Sequence, residues 1–372
     1  MAKRTNTAVW LEKYGRWQIN VQKDGIRKTF TSSIPGRNGQ REANRKADDW
    51  LDDHIDNASV RCDRLYDTWI EELKATTSRS YWEQYAMYGR TRILPEIGRM
   101  KIDRLTEQHL QNVINTGYKD GLAKKTLQNI KGCMTAFIKW CRKNKATTLF
   151  VENLTIPRNA EVGERNILQP ADLAVLFESD QTESHGKQCT ELYINAYRFE
   201  VVTGLRPGEV IGLKWTDIKG ERMEIRRSIN VYGEETKGKN INARRVVALS
   251  PIALGILADQ DALCREYGLK SEYVFPNEDS DHIAQSTYRH RWARYCIVNK
   301  ITTTTPYELR HTFVSIMKQL PEGTLKQLVG HSRDMDTYGV YSHELDDDTK
   351  RTAAMLQETL SRYILADKKT HF

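Results

Sequence analysis

The chain has 372 residues, a formal net charge of +8, 28% charged residues and 39% hydrophobic ones, enough for about two or three packed domains. Such a basic balance, with no low-complexity tract, fits a folded protein that meets a polyanion and excludes a disordered acidic tail. No run approaches membrane-spanning length, the start lacks an apolar signal core, and Cys62, Cys133, Cys141, Cys189, Cys264 and Cys296 form no Cys-x-x-Cys pair. The expectation is a cytoplasmic protein with reduced thiols, no membrane association and no metal site.

Residues 1–60 predict a three-stranded sheet backed by a helix. Strands are expected at 8–11, 16–21 and 26–31, with Asp24-Gly25 as a two-residue hairpin turn. Trp17, Ile19 and Val21 alternate with Gln18, Asn20 and Gln22, so one face is apolar and the other carries amides able to pair with adenine edges. A helix over 41–54 supplies Ala43, Ala47, Trp50 and Leu51 to cover the apolar face.

Residues 61–157 read as all-helical. Leu65, Trp69, Ile70 and Leu73 recur at helical spacing, Ser78 or Ser80 can cap a second helix, and Thr106 caps a third that Gly121 stops. The last helix puts Leu127, Ile130, Met134, Phe137, Ile138 and Cys141 on one stripe. Its other face carries Lys124, Lys125, Lys131, Lys139, Arg142 and Lys143, a surface suited to a phosphate backbone. The polar, aperiodic stretch 157–166 reads as a linker.

Residues 165–372 predict a larger mixed domain. Helices are expected near 170–178, 189–203, 251–267, 284–299, 308–320 and 346–365, and strands near 223–231 and 244–249. The fold class is therefore multidomain α+β, with a small sheet domain, an all-α domain and a mainly-α domain holding a small antiparallel sheet. The stretch 306–343 concentrates Arg310, His331 and several tyrosines without metal-ligand spacing, a set that suits an oxyanion. Gly233-x-x-x-x-Gly238-Lys239 approaches a phosphate-binding loop. Asn240 replaces the expected Ser or Thr and no helix follows, so nucleotide binding is rejected.

Three motifs then fall in order: Thr203-Gly-Leu-Arg-Pro-Gly-Glu209, Leu309-Arg-His-Thr312 and Val329-Gly-His-Ser332. Together they resemble the two arginine motifs and the pre-nucleophile motif of the tyrosine recombinases, the phage and conjugative-transposon integrases. The motif resemblance covers about residues 165–345, and the three-part architecture extends it along the chain. It implies an amino-terminal arm-binding sheet (1–60), a core-binding helical domain (61–157) and a catalytic domain (165–372).

The implied reaction cleaves and rejoins DNA through a 3′-phosphotyrosine, to integrate and excise a mobile element, without metal or nucleotide cofactor. Arg206 and Arg310 would bind the non-bridging oxygens of the transition state with permanent charge and fixed geometry. His331 would add a donor and Tyr341 would be the nucleophile, with Tyr338 as its competitor. A hairpin lysine, Lys237 in preference to Lys239, would be the general acid. Tyr307 stands where the family usually has histidine; it can donate a hydrogen bond but is a poor base at neutral pH. The implied partners are double-stranded DNA at core and arm attachment sites, three further copies in a tetramer on DNA, an excisionase and a host DNA-bending protein. The amphipathic segment carrying Ala353, Met355, Leu356, Leu360, Tyr363 and Ile364 is expected to exchange between protomers. The competing readings are an inactive DNA-binding regulator with this fold and a resolvase or invertase of the same family.

Overall fold

The computed structural model describes residues 5–23, 26–52, 60–236, 244–330 and 348–364, and its contacts divide the chain into two compact units, 1–163 and 164–372. In the first unit, strands β1 (Val9–Leu11), β2 (Arg16–Lys23) and β3 (Ile26–Ser32) form an antiparallel sheet in that order. The β2–β3 register runs from Trp17 opposite Ser32 to Lys23 opposite Ile26. That spacing leaves a two-residue connection, Asp24-Gly25, which lies outside the described residues. Helix α1 (Gly36–Asp52) begins five residues before the expected start. It buries Ala43, Ala47 and Leu51 against Ala8, Ile19 and Val21. The polar face is more engaged than its alternation suggested: Thr29 Oγ1 donates to Asn20 Oδ1 at 2.6 Å and Arg16 donates to Gln18 Oε1 at 3.1 Å.

A second core within this unit is helical: α2 (Cys62–Thr76), α3 (Arg79–Tyr88), α4 (Leu94–Ile97), α5 (Glu107–Lys119) and α6 (Lys124–Lys143). Phe137 is fully buried, with ring centroids 4.9 Å from Tyr66 and 5.4 Å from Trp69. Thr106 precedes α5 as expected, and its N–H donates to His109 Nδ1 at 3.1 Å. A five-residue π-turn, Gly89–Ile93, joins α3 to α4. Gly89 is needed there, since a Cβ would sit 2.3 Å from the Tyr66 ring. On the basic face of α6, Lys131 Nζ donates to Leu154 O and Arg142 lies 3.2 Å from the Phe150 ring centroid. Two of the six expected backbone-tracking cations therefore already have partners within the unit. Lys125, Lys139 and Lys143 are exposed.

The second unit is built around α8 (Ile194–Thr203), whose residues are buried all round except Arg198. A helix apolar on every side belongs at the centre of a core. Around it are α7 (Pro170–Glu178), α9 (Pro207–Ile211), α10 (Pro251–Glu266), α11 (Gln285–Val298), α12 (Pro306–Ile316), α13 (Glu322–Val329) and α14 (Asp348–Ile364). The expected helix over 189–203 is shorter than its periodicity implied. Residues 181–190 instead form an antiparallel hairpin of β4 (Gln181–Ser184) and β5 (Lys187–Thr190), turned by His185 and Gly186, both at positive φ. Polar β4 and β5 lack the apolar alternation that marks a strand.

Strands β6 (Ile218–Lys219), β7 (Arg222–Ile225) and β10 (Arg245–Ala248) make a three-stranded sheet in the order β10-β7-β6. Strands β8 (Ser228–Ile229) and β9 (Glu235–Thr236) pair separately. Helix α14 packs its stripe in cis: Leu356, Leu360 and Ile364 belong to the domain's own core, and Gln357 Oε1 accepts the Ile252 N–H at 3.0 Å. The segment expected to exchange between protomers thus packs, over residues 348–364, on its own domain in the single chain.

Candidate active site

Each site element begins with a local instruction in the sequence. Helix α8 stops at Gly204, in the left-handed region with φ 64°. A Cβ there would stand 2.2 Å from the Phe313 ring, so close packing and backbone both require glycine. Pro207 then opens α9 with Arg206 at its N-cap, and Glu209 accepts the Arg206 backbone N–H at 3.0 Å. Helix α12 opens on Pro306 in the same way, with Glu308 accepting the Thr305 N–H at 2.6 Å.

These starts bring Arg206 and Arg310 together, 104 positions apart in sequence. Arg310 is 2% exposed; its Nη1 donates to Gly204 O at 2.7 Å and its Nη2 to Val329 O at 2.5 Å. Burial, with the nearby Arg206 charge adding to it, brings its pKa down to about 10, which leaves it protonated at neutral pH. Arg206 is more open, its side chain 31% exposed. It donates to Glu209 Oε1 at 2.8 Å and to Gly330 O at 3.3 Å.

Sequence reasoning missed a third arginine. Arg245 opens β10 and forks onto Glu209, Nη1 to Oε1 at 3.1 Å and Nη2 to Oε2 at 2.9 Å, while its Nε donates to Leu328 O at 2.9 Å. The available signal was parity: Arg245 shares its strand face with Val247, which is 1% exposed, so a buried-face arginine needed an acidic partner. Burial works to raise the Glu209 pKa, but the hydrogen bonds and charge of Arg245, reinforced by Arg206, win and hold it below the ordinary carboxylate value. Three guanidiniums against one carboxylate leave an excess of positive charge. Nearby, Glu200 is fully buried and accepts a hydrogen bond from Tyr288 at 2.9 Å, and burial pushes its pKa well above the ordinary carboxylate value.

Tyr307 lies three residues before Arg310 on α12 and is 45% exposed. Its ring meets His311 edge-on, with centroids 5.2 Å apart. His311 Nε2 lies 3.2 Å from Arg165 Nη1. Burial and then the Arg165 charge lower the His311 pKa, so the imidazole is neutral at neutral pH and accepts that bond.

Of the expected lysine hairpin, the root is described. Glu235 on β9 is gripped by Arg227 at 3.4 Å and Lys214 at 3.8 Å, and Gln285 donates to Ile229 O at 2.6 Å. Lys237, Lys239, His331, Tyr338 and Tyr341 lie outside the described residues. Among the described residues no cluster of His, Cys, Asp or Glu could hold a metal ion, and no helix is long and apolar enough to cross a membrane.

Arg206 and Arg310 thus meet at the end of α13, in a mainly helical domain with a small antiparallel sheet. Residues 168–348 match the phage integrase family, and residues 63–116 match the phage integrase N-terminal SAM-like domain. The chain belongs to the phage integrase family.

A tyrosine recombinase XerC-like protein of Caldanaerobacter subterraneus subsp. tengcongensis is 25% identical, over 92% of this chain and 95% of the relative. The ICEBs1 integrase of Bacillus subtilis is 26% identical, over 45% of this chain and 50% of its own length. Among solved structures, the Tn1549 transposon integrase in complex with transposon right end DNA has a TM-score of 0.61 at 17% identity, covering 81% of this chain and all of that one. A lambda integrase dimer bound to a COC′ core site has a TM-score of 0.55 at 17% identity, covering 93% and 99%. At such identities the structures establish the shared fold, an α+β architecture with small antiparallel sheets.

Proposed function

We propose that this chain is an integrase that cleaves duplex DNA, holds one strand end as a 3′-phosphotyrosine on Tyr341, and rejoins it to a new partner so that a mobile element integrates and excises. The observation that carries this reading is the meeting of Arg206 and Arg310 at the end of α13, where Gly330 leads into His331. Attack on a phosphodiester spreads negative charge over the non-bridging oxygens. A fixed pair of cations in a partly water-excluded site stabilises that charge without reorganising during the reaction. Arg206, the more exposed of the two, meets the phosphate; Arg310 acts from below it. Tyr307 adds a donor at the mouth, His331 supplies another, and Lys237 protonates the leaving 5′-oxygen. The tyrosyl link conserves the energy of the broken bond, so strand exchange needs no nucleotide.

The sheet of β1–β3 reads arm sites, the bundle α2–α6 clamps the core site, and an excisionase and a host bending protein set the direction. Four copies act on two sites; the lambda integrase tetramer bound to a Holliday junction, with a TM-score of 0.54 over 93% of this chain, is the solved neighbour that motivates this stoichiometry. The test is a nicked suicide duplex incubated with the protein in EDTA, with the covalent adduct mapped by mass spectrometry. An adduct on Tyr341 that disappears in Tyr341→Phe is expected. An adduct mapped to Tyr338, or its persistence in Tyr341→Phe, would overturn the nucleophile assignment.

A further inference from the structure

The carbonyls of Leu328, Val329 and Gly330 are consecutive, and each is capped by a different arginine: Arg245 Nε at 2.9 Å, Arg310 Nη2 at 2.5 Å and Arg206 Nη2 at 3.3 Å. The last carbonyls of a helix have no partner within it and carry the negative end of its dipole, so cations are favoured there. Three guanidiniums from three separate elements are more than such an end requires. Two of them, Arg206 and Arg310, belong to the proposed phosphate site. Arg245 is 6% exposed at its side chain.

From this arrangement we propose that Arg245 is a positioning residue for strand cleavage: it fixes the direction of the Arg206 guanidinium through Glu209, and through Leu328 it fixes the end of α13 from which the chain enters His331. The inference rests on the reading of Arg206 and Arg310 as the phosphate-binding pair. Glu209 is the shared part. Its Oε1 accepts from both Arg206 and Arg245, and its Oε2 accepts from the Arg206 backbone N–H and from Arg245. With all four donors present, the carboxylate charge is divided between two guanidiniums. Without Arg245, Glu209 would draw on Arg206 alone, neutralising and turning the cation that should face the phosphate. Lysine keeps the charge, yet one ammonium cannot span two carboxylate oxygens and a carbonyl in the geometry of the fork.

The experiment compares the full-length wild type, Arg245→Lys, Arg245→Gln and Arg206→Lys. The substrate is a nicked duplex recovered from a randomised pool by covalent capture on the wild-type chain. It is made both with an ordinary scissile phosphate and with a neutral methylphosphonate. DNA affinity, adduct rate and folded fraction are read separately. Arg245→Lys is expected to lower the adduct rate about 10- to 100-fold at unchanged DNA affinity. The wild-type-to-variant ratio should narrow on the methylphosphonate, where less charge has to be met. A rate that falls only in step with the folded fraction, or the same ratio on both substrates, assigns Arg245 to stability alone and overturns the inference. So does a wild-type rate in both Arg245 variants. A wild-type chain that captures no duplex, or an Arg206→Lys chain that cleaves at the wild-type rate, removes the site reading and this inference with it.

Discussion

The bundle α2–α6 and the domain around α8 both present cations suited to a phosphate, but they hold them in opposite ways. In the bundle the core is apolar throughout, Phe137, Tyr66 and Trp69 at its centre, and the lysines lie outside on α6. In the domain around α8 the guanidinium of Arg310 is among the largest fully buried side chains of the protein, beside a buried carboxylate and beneath a half-open arginine. A surface lysine is cheap to place and imprecise; a buried arginine must have its hydrogen bonds arranged beforehand. The first pattern gives affinity for a polyanion, the second gives direction to a particular phosphate. Replacing charge should therefore act on different observables in the two regions.

The largest effect is expected at Arg310. Arg310→Ala removes a fixed cation from the site and leaves Gly204 O and Val329 O buried without their donor. Adduct formation should fall about 100- to 1000-fold, and urea denaturation should show a loss of about 1–3 kcal/mol for each carbonyl left unmet. Near-normal stability with abolished cleavage would mean that water caps those carbonyls. Glu209→Ala should behave differently, because it strands Arg245 and Arg206 instead of removing a cation. A loss of about 3–5 kcal/mol is expected from breaking a buried pair.

In the bundle the counterpart is Phe137→Ala, with an expected cost of about 3–5 kcal/mol from the lost aromatic volume. Cleavage per folded molecule should be unchanged on any substrate that the remaining chain can hold. A specific loss of rate at full folding would break the comparison, since it would give the bundle a share of the chemistry.

How far the sequence revealed this division depends on whether a local pattern exists. Proline at N1 with a carboxylate three residues past the cap marks the starts of both α9 and α12, a local pattern that puts Arg206 at the N-cap of one and Arg310 in the second turn of the other. Periodicity gave the bundle almost complete. The β4–β5 hairpin was hidden because its residues are polar and bury one side chain, Thr182. Arg245 was hidden for a different reason: its partners, Glu209 and Leu328, are 36 and 83 residues away, and no local rule reports a long-range ion pair. The helix Glu322–Val329 was missed as well, although its cationic caps prove to be what joins it to the site. Glycine mattered most where packing required it: Gly204 was legible as a helix stop, while its second reason, the Phe313 ring, is visible only in three dimensions.

A smaller effect concerns proton occupancy at the mouth of the site. His311 is held neutral first by burial and then by the facing Arg165, with Glu308 opposing and Arg310 adding to the shift. Its folded pKa is therefore below its unfolded value of about 6.5. The stability linked to this group is present above that value and is lost as pH falls through the lowered one. Imidazole NMR should show a His311 midpoint below that of an exposed histidine. Arg165→Ala should move it upward while burial keeps part of the shift. A midpoint unaffected by Arg165→Ala would show that burial alone sets it.

The smallest expected effects are on the α6 surface, and they return to the contrast between affinity and direction. Lys125, Lys139 and Lys143 are exposed, so replacing one by glutamine should change stability by no more than about 0.5 kcal/mol. If each meets a phosphate, every replacement releases one fewer counterion. The slope of log affinity against log salt should become shallower by about 0.9 per residue, nearly uniformly across DNA sequences. Lys131 serves as the internal comparison, because its ammonium already donates to Leu154 O. Lys131→Gln should change the slope less and stability more than its exposed neighbours do. Equal slopes for all four variants would mean that the bond to Leu154 yields to phosphate, and that the charge on this face is as mobile as that of any surface lysine.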